Sequence, residues 1–400
     1  MMSQGFYLCL LIVLVLLAWF FGRASTARKT NKVDRKPNNE LTKHYFEGVN
    51  FLLNEQPDQA IDVFIQSVEV TPHTLETHLA LGNLMRQKGE VDRAIRVHQN
   101  LLSRSNLSPQ QMRQAHLELA RDFLKAGLFD RAERLFLELV DDTSGEYRQQ
   151  SLRHLVQIYR DEQEWEKAIR AAGVMEKKLS GRAREELAVE QAHFCCELAE
   201  QARAKGDYLE VRRHLKAALK FNKNSARANM LRGDQEVLSC NYQRALKCYR
   251  MIPQQQPDYL PEVLKAVRQC YEHLDDQDGL IKQFRNWLNE YPGSSILKAL
   301  AKVIREKEGE DKAAVFLAEY LKVSPSIKGV HALLDIHLKN VDGAVKDNLL
   351  LLNNVLNSTL QNQPGYCCSQ CGFKGMQLHW LCPQCQTWET VKPIRGMVGE

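Results

Sequence analysis

Four cysteines near the end of the chain have the spacing of a metal site. Cys368 and Cys371 form one C-x-x-C pair, and Cys382 and Cys385 form a second pair a short distance later. A C-x-x-C turn directs two thiolates at one centre, so two such turns supply the four ligands of a tetrahedral ion. Zinc and iron both accept four thiolates, and the sequence does not distinguish them. The pattern predicts one metal ion, zinc or iron, held by these four cysteines.

The residues beside the two pairs bear on which cysteines are the ligands and on whether the site transfers electrons. Cys367 directly precedes Cys368 and can replace it as a ligand if the pairing shifts by one residue. Gly372 follows the first pair, where a positive φ is easily adopted, whereas Gln386 follows the second. The arrangement resembles the knuckles of rubredoxin and zinc ribbons, and rubredoxin usually has glycine after both pairs. Gln386 therefore argues against electron transfer, and we predict a closed structural site.

The segment that carries these cysteines is too short for a hydrophobic core of its own. We expect Phe373, Trp380 and Trp388 to pack around the metal ion, and we assign residues 363–400 to a small rubredoxin-like or zinc-ribbon domain. The chain has 11 cysteines: five, including Cys367, lie within residues 367–385, and the other six are scattered in apolar contexts. An odd, clustered set indicates a metal site in a reducing compartment rather than disulfides. We expect the neighbouring Cys195 and Cys196 to be buried thiols on a helix.

The long segment before the cysteines repeats a pattern of small and large residues with a period near 34. Small residues at two slots of each unit let paired helices approach closely, and large residues fill the remaining space. One helix pair cannot bury its apolar face alone, so the pattern predicts pairs stacked into a superhelix with a concave surface. The slots are Gly48, Phe51, Ala60 and Phe64; Gly82, Met85, Ala94 and His98; Ala120, Phe123, Ala132 and Phe136; Val156, Tyr159, Ala168 and Ala172; Ala199, Ala202, Val211 and Leu215; Gly233, Ala245 and Tyr249; Tyr271, Leu280 and Phe284; and, more divergently, Gly309, Ala314 and Leu321.

The second unit, LALGNLMRQKGEVDRAIRVHQNLL, resembles the tetratricopeptide repeat. We predict an all-α fold in which about eight helical hairpins occupy residues 44–362. Pro72, Pro257 and Pro292 lie where the second helix of a hairpin should stop. An irregular helical bundle would not explain the shared offset between units.

The first 22 residues contain no charged side chain and predict a membrane anchor. Gly5–Gly22 is apolar throughout and, as a helix, is about 27 Å long, enough to cross a bilayer core. Residues 23–43 follow as a basic linker, and basic residues next to a span stay on the cytoplasmic side. We expect a single span over residues 1–22, with the rest of the chain in the cytoplasm. A cleaved signal peptide would need basic residues before the apolar run, and Met1–Gln4 has none.

The charge distribution favours a membrane surface over nucleic acid. The chain has a net charge of +5, with 54 basic and 49 acidic residues. Seven basic and two acidic residues in the linker account for this excess, so the charges of the remaining residues sum to zero. A nucleic-acid-binding protein usually spreads its positive charge over a binding face, whereas here the excess lies in one short linker. We expect no nucleic-acid partner. No P-loop, G-x-G-x-x-G, G-x-S-x-G or H-E-x-x-H motif is present, and we expect no enzymatic activity. Histidines such as His98, His154 and His214 are expected to be packed or solvated.

The order of these features resembles the lipopolysaccharide assembly protein B family of Gram-negative bacteria over nearly the full length. The resemblance is carried by YFEGVNFLLNEQPDQAIDVF, by the second repeat and by CSQCGF…WLCPQCQTWETVKPI. It implies that Cys368, Cys371, Cys382 and Cys385 are the metal ligands, and that the metal knuckle packs against the repeats. It also implies an inner-membrane adaptor that restrains lipopolysaccharide synthesis by helping the protease FtsH degrade the deacetylase that commits lipid A synthesis.

Two other functions stay open at this point. One is a general scaffold or chaperone for membrane-associated complexes, which would bind other regulatory proteins of the membrane. The other is a rubredoxin-like electron-transfer protein, which would hold iron with a reversible potential. The sequence does not tell which residues contact a client, or whether the protein forms homo-oligomers.

Overall fold

The computed structural model describes residues 72–400, apart from 104–106, 142–144, 146, 340, 362 and 398, together with a few positions between 47 and 63. The predicted anchor (1–22), the basic linker (23–43) and most of the first repeat lie outside these residues. Within the described part, no helix combines the length and apolar character needed to span a bilayer.

The described chain consists of helices joined by short turns, followed by three short strands. The helices are α1 (Pro72–Gln87), α2 (Val91–Leu102), α3 (Pro109–Lys125), α4 (Phe129–Asp141), α5 (Arg148–Asp161), α6 (Trp165–Glu176), α7 (Gly181–Ala204), α8 (Tyr208–Phe221), α9 (Ala226–Leu238), α10 (Tyr242–Tyr249), α11 (Ile252–Gln255), a 3₁₀ turn (Pro257–Tyr259), α12 (Leu260–His273), α13 (Gln277–Glu290), α14 (Ser294–Glu308), α15 (Glu310–Val323), α16 (Ile327–His337) and α17 (Ala344–Gln361).

A residue with positive φ lies in the turn between the two helices of successive hairpins. A left-handed residue after the last helical turn satisfies free carbonyl groups and stops the helix, and glycine adopts it without a steric penalty. Glycine occupies four of these turns, and longer side chains occupy the other three. The residues are Gly89, Gly127, Gln163, Gly206, Cys240, Asp275 and Gly309.

The chain divides into two compact units, one up to Ser151 and one from Leu152 to Glu400. In the first unit, α1 to α4 form two hairpins whose small slots pack as predicted. A Cβ atom on Gly82 would lie 2.4 Å from Nε2 of His98, so only glycine fits there. His98 is fully buried, and its Nδ1 lies 2.5 Å from Oδ2 of the buried Asp122. His98 is therefore a packed residue of the hairpin, as expected.

The second unit continues the hairpins and confirms most of the predicted slots. A Cβ atom on Gly233 would lie 2.4 Å from Cε1 of Tyr249, and Ala168 and Ala245 are fully buried. Large side chains at the other slots, such as Phe284, form the core.

The predicted slots of the last unit, Ala314 and Leu321, are wrong in detail. The fully buried residues of α15 are Ala313 and Leu317, while Ala314 and Leu321 only pack at the edge of the core. Gly309 is not a helix-contact slot, because its φ of 98° places it in the turn between α14 and α15.

The end of the second unit is a three-stranded antiparallel sheet made of β1 (Tyr366–Cys368), β2 (Lys374–Gly375) and β3 (Val391–Pro393). β1 is central: Tyr366 pairs with Gly375 on one side and with Pro393 on the other. The sheet is too small to bury a core of its own, so the residues between its strands must stabilise it.

Candidate metal centre

The four predicted cysteines come together at the end of this sheet. Their sulfur atoms all lie within 4.8 Å of one another. The Sγ atoms of Cys368 and Cys385 are 3.7 Å apart, and those of Cys371 and Cys382 are 3.6 Å apart. Thiolates bound tetrahedrally at about 2.3 Å from an ion are about 3.8 Å from each other. The donor set and its spacing therefore fit one metal ion, and either zinc or iron satisfies the same geometry.

The two C-x-x-C turns have the same backbone conformation. Gly372 and Gln386 each follow a pair, with φ of 76° and 55°. Their N–H groups donate to the carbonyls of Cys368 at 3.1 Å and Cys382 at 2.9 Å. Gln386 thus adopts the left-handed conformation that glycine favours, and the departure from the rubredoxin pattern does not change the turn.

Backbone N–H groups point at the Cys368 sulfur, as expected for a site that holds thiolates. The N–H groups of Gln370 and Cys371 donate to it at 3.4 and 3.5 Å. Burial acts to raise the pKa of this thiol, but hydrogen bonds from the Thr390 side chain and these two N–H groups lower it to about 6. The turn favours the deprotonated form that binds metal.

Cys367 is not part of the group of four sulfur atoms. Its thiol donates to the carbonyl of Cys368 at 3.6 Å, and its neighbours across the sheet are Lys374 and Lys392. Successive residues of a strand point to opposite faces, so Cys367 and Cys368 cannot both face the other pair. The structure therefore favours Cys368 over Cys367 as the metal ligand, a choice that the sequence left open.

The predicted packing of the aromatic residues around the metal is wrong for the two tryptophans. The small cluster of apolar residues around the cysteines contains Phe373, together with Tyr366 and Val391. The rings of Trp380 and Trp388 instead contact the helical repeats. The metal domain has few apolar neighbours of its own, so its tryptophans contribute to a shared core with the helices.

Trp388 packs against α6 and α7. Its indole stacks on the imidazole of His193, with ring centroids 4.5 Å apart, and its edge meets Trp165 and Phe194 at 6.5 and 6.1 Å. Trp380 packs on the buried Tyr259 ring at 4.7 Å. These contacts join the metal domain to three separate helical segments.

Arg227 lies between the two tryptophans. It is 3% exposed, and its guanidinium carbon is 5.6 Å from the Trp380 ring and 5.9 Å from the Trp388 ring. Glu197 and Glu200 neutralise it at 2.9 and 2.6 Å. The two carboxylates balance the charge of this buried arginine and the two aromatic faces pack on it, although its Nε–H has no hydrogen-bond partner among the described residues.

Glu389 is the main polar link between the metal domain and the repeats. Its two carboxylate oxygens lie 2.9 Å from Nε2 of His193 and 2.6 Å from Nε2 of Gln256. The hydroxyl of Tyr259 lies 3.3 Å from the carbonyl oxygens of both Glu389 and Val391 and shares its single hydrogen between them. Burial acts to raise the pKa of Glu389, but the hydrogen bonds from His193 and Gln256 and the charge of Lys392 outweigh it and lower this pKa.

Ion pairs and tail contacts complete the interface. Lys392 and Arg395 bind the two oxygens of Asp258 at 2.8 and 2.5 Å. Near the end of the chain, Ser294 donates to the carbonyl of Gly399 at 2.6 Å, and the carboxylate of Glu400 accepts from the N–H of Ser295 at 3.0 Å. The segment after β3 therefore also holds the metal domain on α14.

Sequence reasoning missed the residues that hold this interface. His193, Arg227 and Glu389 belong to no motif, and they meet only because distant helices and the metal domain fold together. The family resemblance implied that the knuckle packs against the repeats, and the structure has this contact, but the resemblance did not show which residues form it. Cys195 and Cys196, beside His193 on α7, are buried thiols as expected, and burial raises the pKa of each to about 12.

The helical hairpins and the cysteine group define a tetratricopeptide-repeat protein with a C-terminal metal-binding knuckle. The family model described as rubredoxin metal binding domain matches residues 366–393. Two models described as tetratricopeptide repeat match residues 77–112 and 117–174. The predicted fold class is confirmed for the described repeats and the knuckle.

Curated proteins resemble the chain from one end to the other. Lipopolysaccharide assembly protein B of Escherichia coli strain K12 is 36% identical over 391 residues, which cover 98% of both chains. The protein of that name from Haemophilus influenzae is 34% identical over 389 residues, covering 94% of each chain. This chain belongs to the lipopolysaccharide assembly protein B family. Among solved structures, a tetratricopeptide repeat protein from Parabacteroides merdae is 13% identical, covering 66% of this chain and 98% of that chain, with a TM-score of 0.34.

Proposed function

We propose that this protein is a membrane-tethered adaptor that restrains lipopolysaccharide synthesis. In this proposal the repeats bind the deacetylase that commits lipid A synthesis and present it to the membrane protease FtsH for degradation. The observation that carries the proposal is the similarity to lipopolysaccharide assembly protein B of E. coli, at 36% identity over 98% of both chains. Helical repeats that stack into an extended surface commonly bind other proteins, which supports a binding role rather than catalysis.

We propose that Cys368, Cys371, Cys382 and Cys385 hold one zinc or iron ion with a structural role. The bound ion supplies the crosslink that a domain with so few apolar residues needs to stay folded. With all four positions filled by thiolates, no open coordination site is left for a substrate. The chain's own residues then dock the folded knuckle on the helices through Trp388, Glu389 and Arg227. On this basis we propose that residues 44–362 are the repeat array and residues 363–400 the metal domain.

We propose that residues 1–22 cross the inner membrane and that residues 23–43 lie at its cytoplasmic surface. Confinement to one membrane raises the effective concentration of adaptor, protease and client for each other. The long apolar run followed by basic residues supports this topology. Removing the anchor should leave a folded protein that no longer brings the protease and its client together.

A crosslinking pull-down from native membranes tests the proposal. The full chain should recover FtsH and the deacetylase, while a chain lacking residues 366–400 should recover less of the deacetylase. Recovery of unrelated membrane complexes without the protease would instead indicate a general scaffold. A reversible iron potential in the purified protein would indicate electron transfer. Either result would contradict the adaptor proposal.

A further inference from the structure

Four of the nine residues that line a groove on the second unit are positively charged, and one is negatively charged. The groove has a volume of about 560 Å³ and lies between the end of α8, one face of α9 and one face of α10. We call it the cationic groove. Its lining residues are Leu219, Lys223, Asn229, Arg232, Glu236, Arg244, Lys247, Cys248 and Met251.

The positive charges of the cationic groove are not used within the described part of the chain. Lys223, Arg232, Arg244 and Lys247 are exposed and make no ion pair with any described residue. Elsewhere on the same unit, Arg268 binds Glu272 and Glu306 at 2.6 and 2.9 Å. Four unpaired cations around one depression create a positive potential that attracts negatively charged groups.

The acidic residue that lines the cationic groove, Glu236, already accepts a hydrogen bond within the protein. Glu236 accepts a hydrogen bond from the side-chain amide of Asn241 at 3.1 Å. It lies one turn from Arg232 on α9 but does not reach it within ion-pair distance in the described structure. The groove therefore keeps an excess of positive charge.

The helices arrange these charges in two facing rows. Asn229, Arg232 and Glu236 are three and four residues apart on α9, and Arg244 and Lys247 are three residues apart on α10, so each row lies on one helix face. Met251, which is 43% exposed, adds an apolar surface at the end of the second row. A depression of about 560 Å³ between helices can receive side chains of a polypeptide, whereas a flat bilayer surface cannot enter it.

We propose that the cationic groove binds an acidic segment of a partner protein. Carboxylates of the segment pair with Lys223, Arg232, Arg244 and Lys247, and an apolar side chain of the segment packs against Met251 and Leu219. This inference rests on the proposed adaptor function, because it assigns a chemistry to the surface that holds a client. Complementary charge gives such a surface a fast association rate and discrimination against basic segments.

Peptide binding to the purified full chain in detergent tests the inference. The probe is a short fluorescent peptide with Glu residues around a central Leu, and its control carries Gln in place of each Glu. Fluorescence anisotropy should show binding of the Glu peptide that weakens as salt is added, and much weaker binding of the Gln peptide. Equal binding of both peptides, or no binding of the Glu peptide, would overturn the proposal.

Charge reversal locates the binding site. The double change Arg232→Glu and Lys247→Glu should weaken binding of the Glu peptide on the order of ten-fold or more, because carboxylates then face carboxylates. The matched control changes Lys216 and Lys220, two exposed lysines of α8 outside the groove, to Glu and should have little effect.

If both double variants weaken binding equally, the effect is one of net charge and the cationic groove is not the site. If anionic vesicles bind to the groove cations and the Glu peptide does not, the ligand is a lipid and the proposal is wrong. These assays do not involve FtsH or the deacetylase. A failure here therefore leaves the adaptor proposal standing, and a failure of the adaptor proposal is detected separately in membranes.

Discussion

The imidazole of His193 and the indole of Trp388 stack face to face, with ring centroids 4.5 Å apart and ring planes 10° from parallel. His193 belongs to α7, whereas Trp388 follows the last cysteine of the metal site. Both are nearly inaccessible, at 1% and 8% exposure. Because one ring can be buried only if the other is in place, packing of α7 and folding of the cysteine turns depend on each other.

The stability of this contact should depend on pH through His193. Burial lowers the pKa of His193, and the charge of Arg227 adds to this, although Glu389 and Glu197 act in the opposite direction. Arg227 can only donate, and its Nη1 lies 3.5 Å from Nδ1 of His193, so the neutral ring carries its proton on Nε2 toward Glu389.

A lowered folded-state pKa means that the unfolded chain takes up a proton more readily than the folded one. The contribution of His193 to the stability of the folded state is therefore complete above its unfolded pKa of about 6.5, and this contribution falls as the pH drops below that value. Glu389, whose folded pKa is lowered, acts in the same direction below about pH 4. Thermal unfolding followed by tryptophan fluorescence should show a loss of stability as the pH falls below about 6.5. His193→Gln should flatten this dependence, and an identical slope in the variant would refute the assignment.

Metal binding should be lost when a ligand cysteine is replaced and kept when a nearby cysteine that is not a ligand is replaced. Cys371→Ser removes one of the four sulfur atoms, whereas Cys367→Ser changes a thiol outside the group. Elemental analysis should find one zinc or iron ion per chain in the wild type and in Cys367→Ser, and little in Cys371→Ser. Loss of the ion removes folding energy from the metal domain, so Cys371→Ser should also expose Trp380 and Trp388 and make residues 363–400 sensitive to protease. Equal metal content in both variants would contradict the predicted ligand set.

Two glycine substitutions should have opposite effects on the free energy of unfolding, because Gly233 lies at a close contact between helices and Gly173 does not. A Cβ atom in Gly233→Ala would lie 2.4 Å from Cε1 of Tyr249, whose hydroxyl is fixed by a 2.7 Å hydrogen bond to Asp234. Such overpacking costs about 1–3 kcal/mol. A Cβ atom at Gly173 meets nothing within 4 Å, so Gly173→Ala should stabilise α6 by roughly 0.5–1 kcal/mol. The unfolding midpoints of the two variants, followed by circular dichroism, should shift in opposite directions from that of the wild type. A Gly233→Ala protein as stable as the wild type would mean that the hairpin is looser than the structure indicates.

The features that could be predicted from the sequence are those determined by the spacing of residues that are close along the chain. Gly82 and Gly233 were identifiable because each helix pair needs a small residue at one fixed position, and the C-x-x-C pairs because both ligands of a turn are close in sequence. The contact of His193 with Glu389 joins residues 196 positions apart, and no local pattern encodes it. The tryptophans were recognised as packing residues, but their partners depend on how α7, α9 and the 3₁₀ turn are arranged. The slots of α15 were misplaced because its unit has diverged from the repeat.

The half-life of the committed-step deacetylase in cells tests the central claim most directly. Cells that lack this protein would receive the full chain, or a chain without residues 1–22, each at native expression level. We predict rapid degradation of the deacetylase only with the full chain, while the truncated protein stays folded but inactive. A half-life that does not depend on this protein, or full rescue by the truncated chain, would contradict the account.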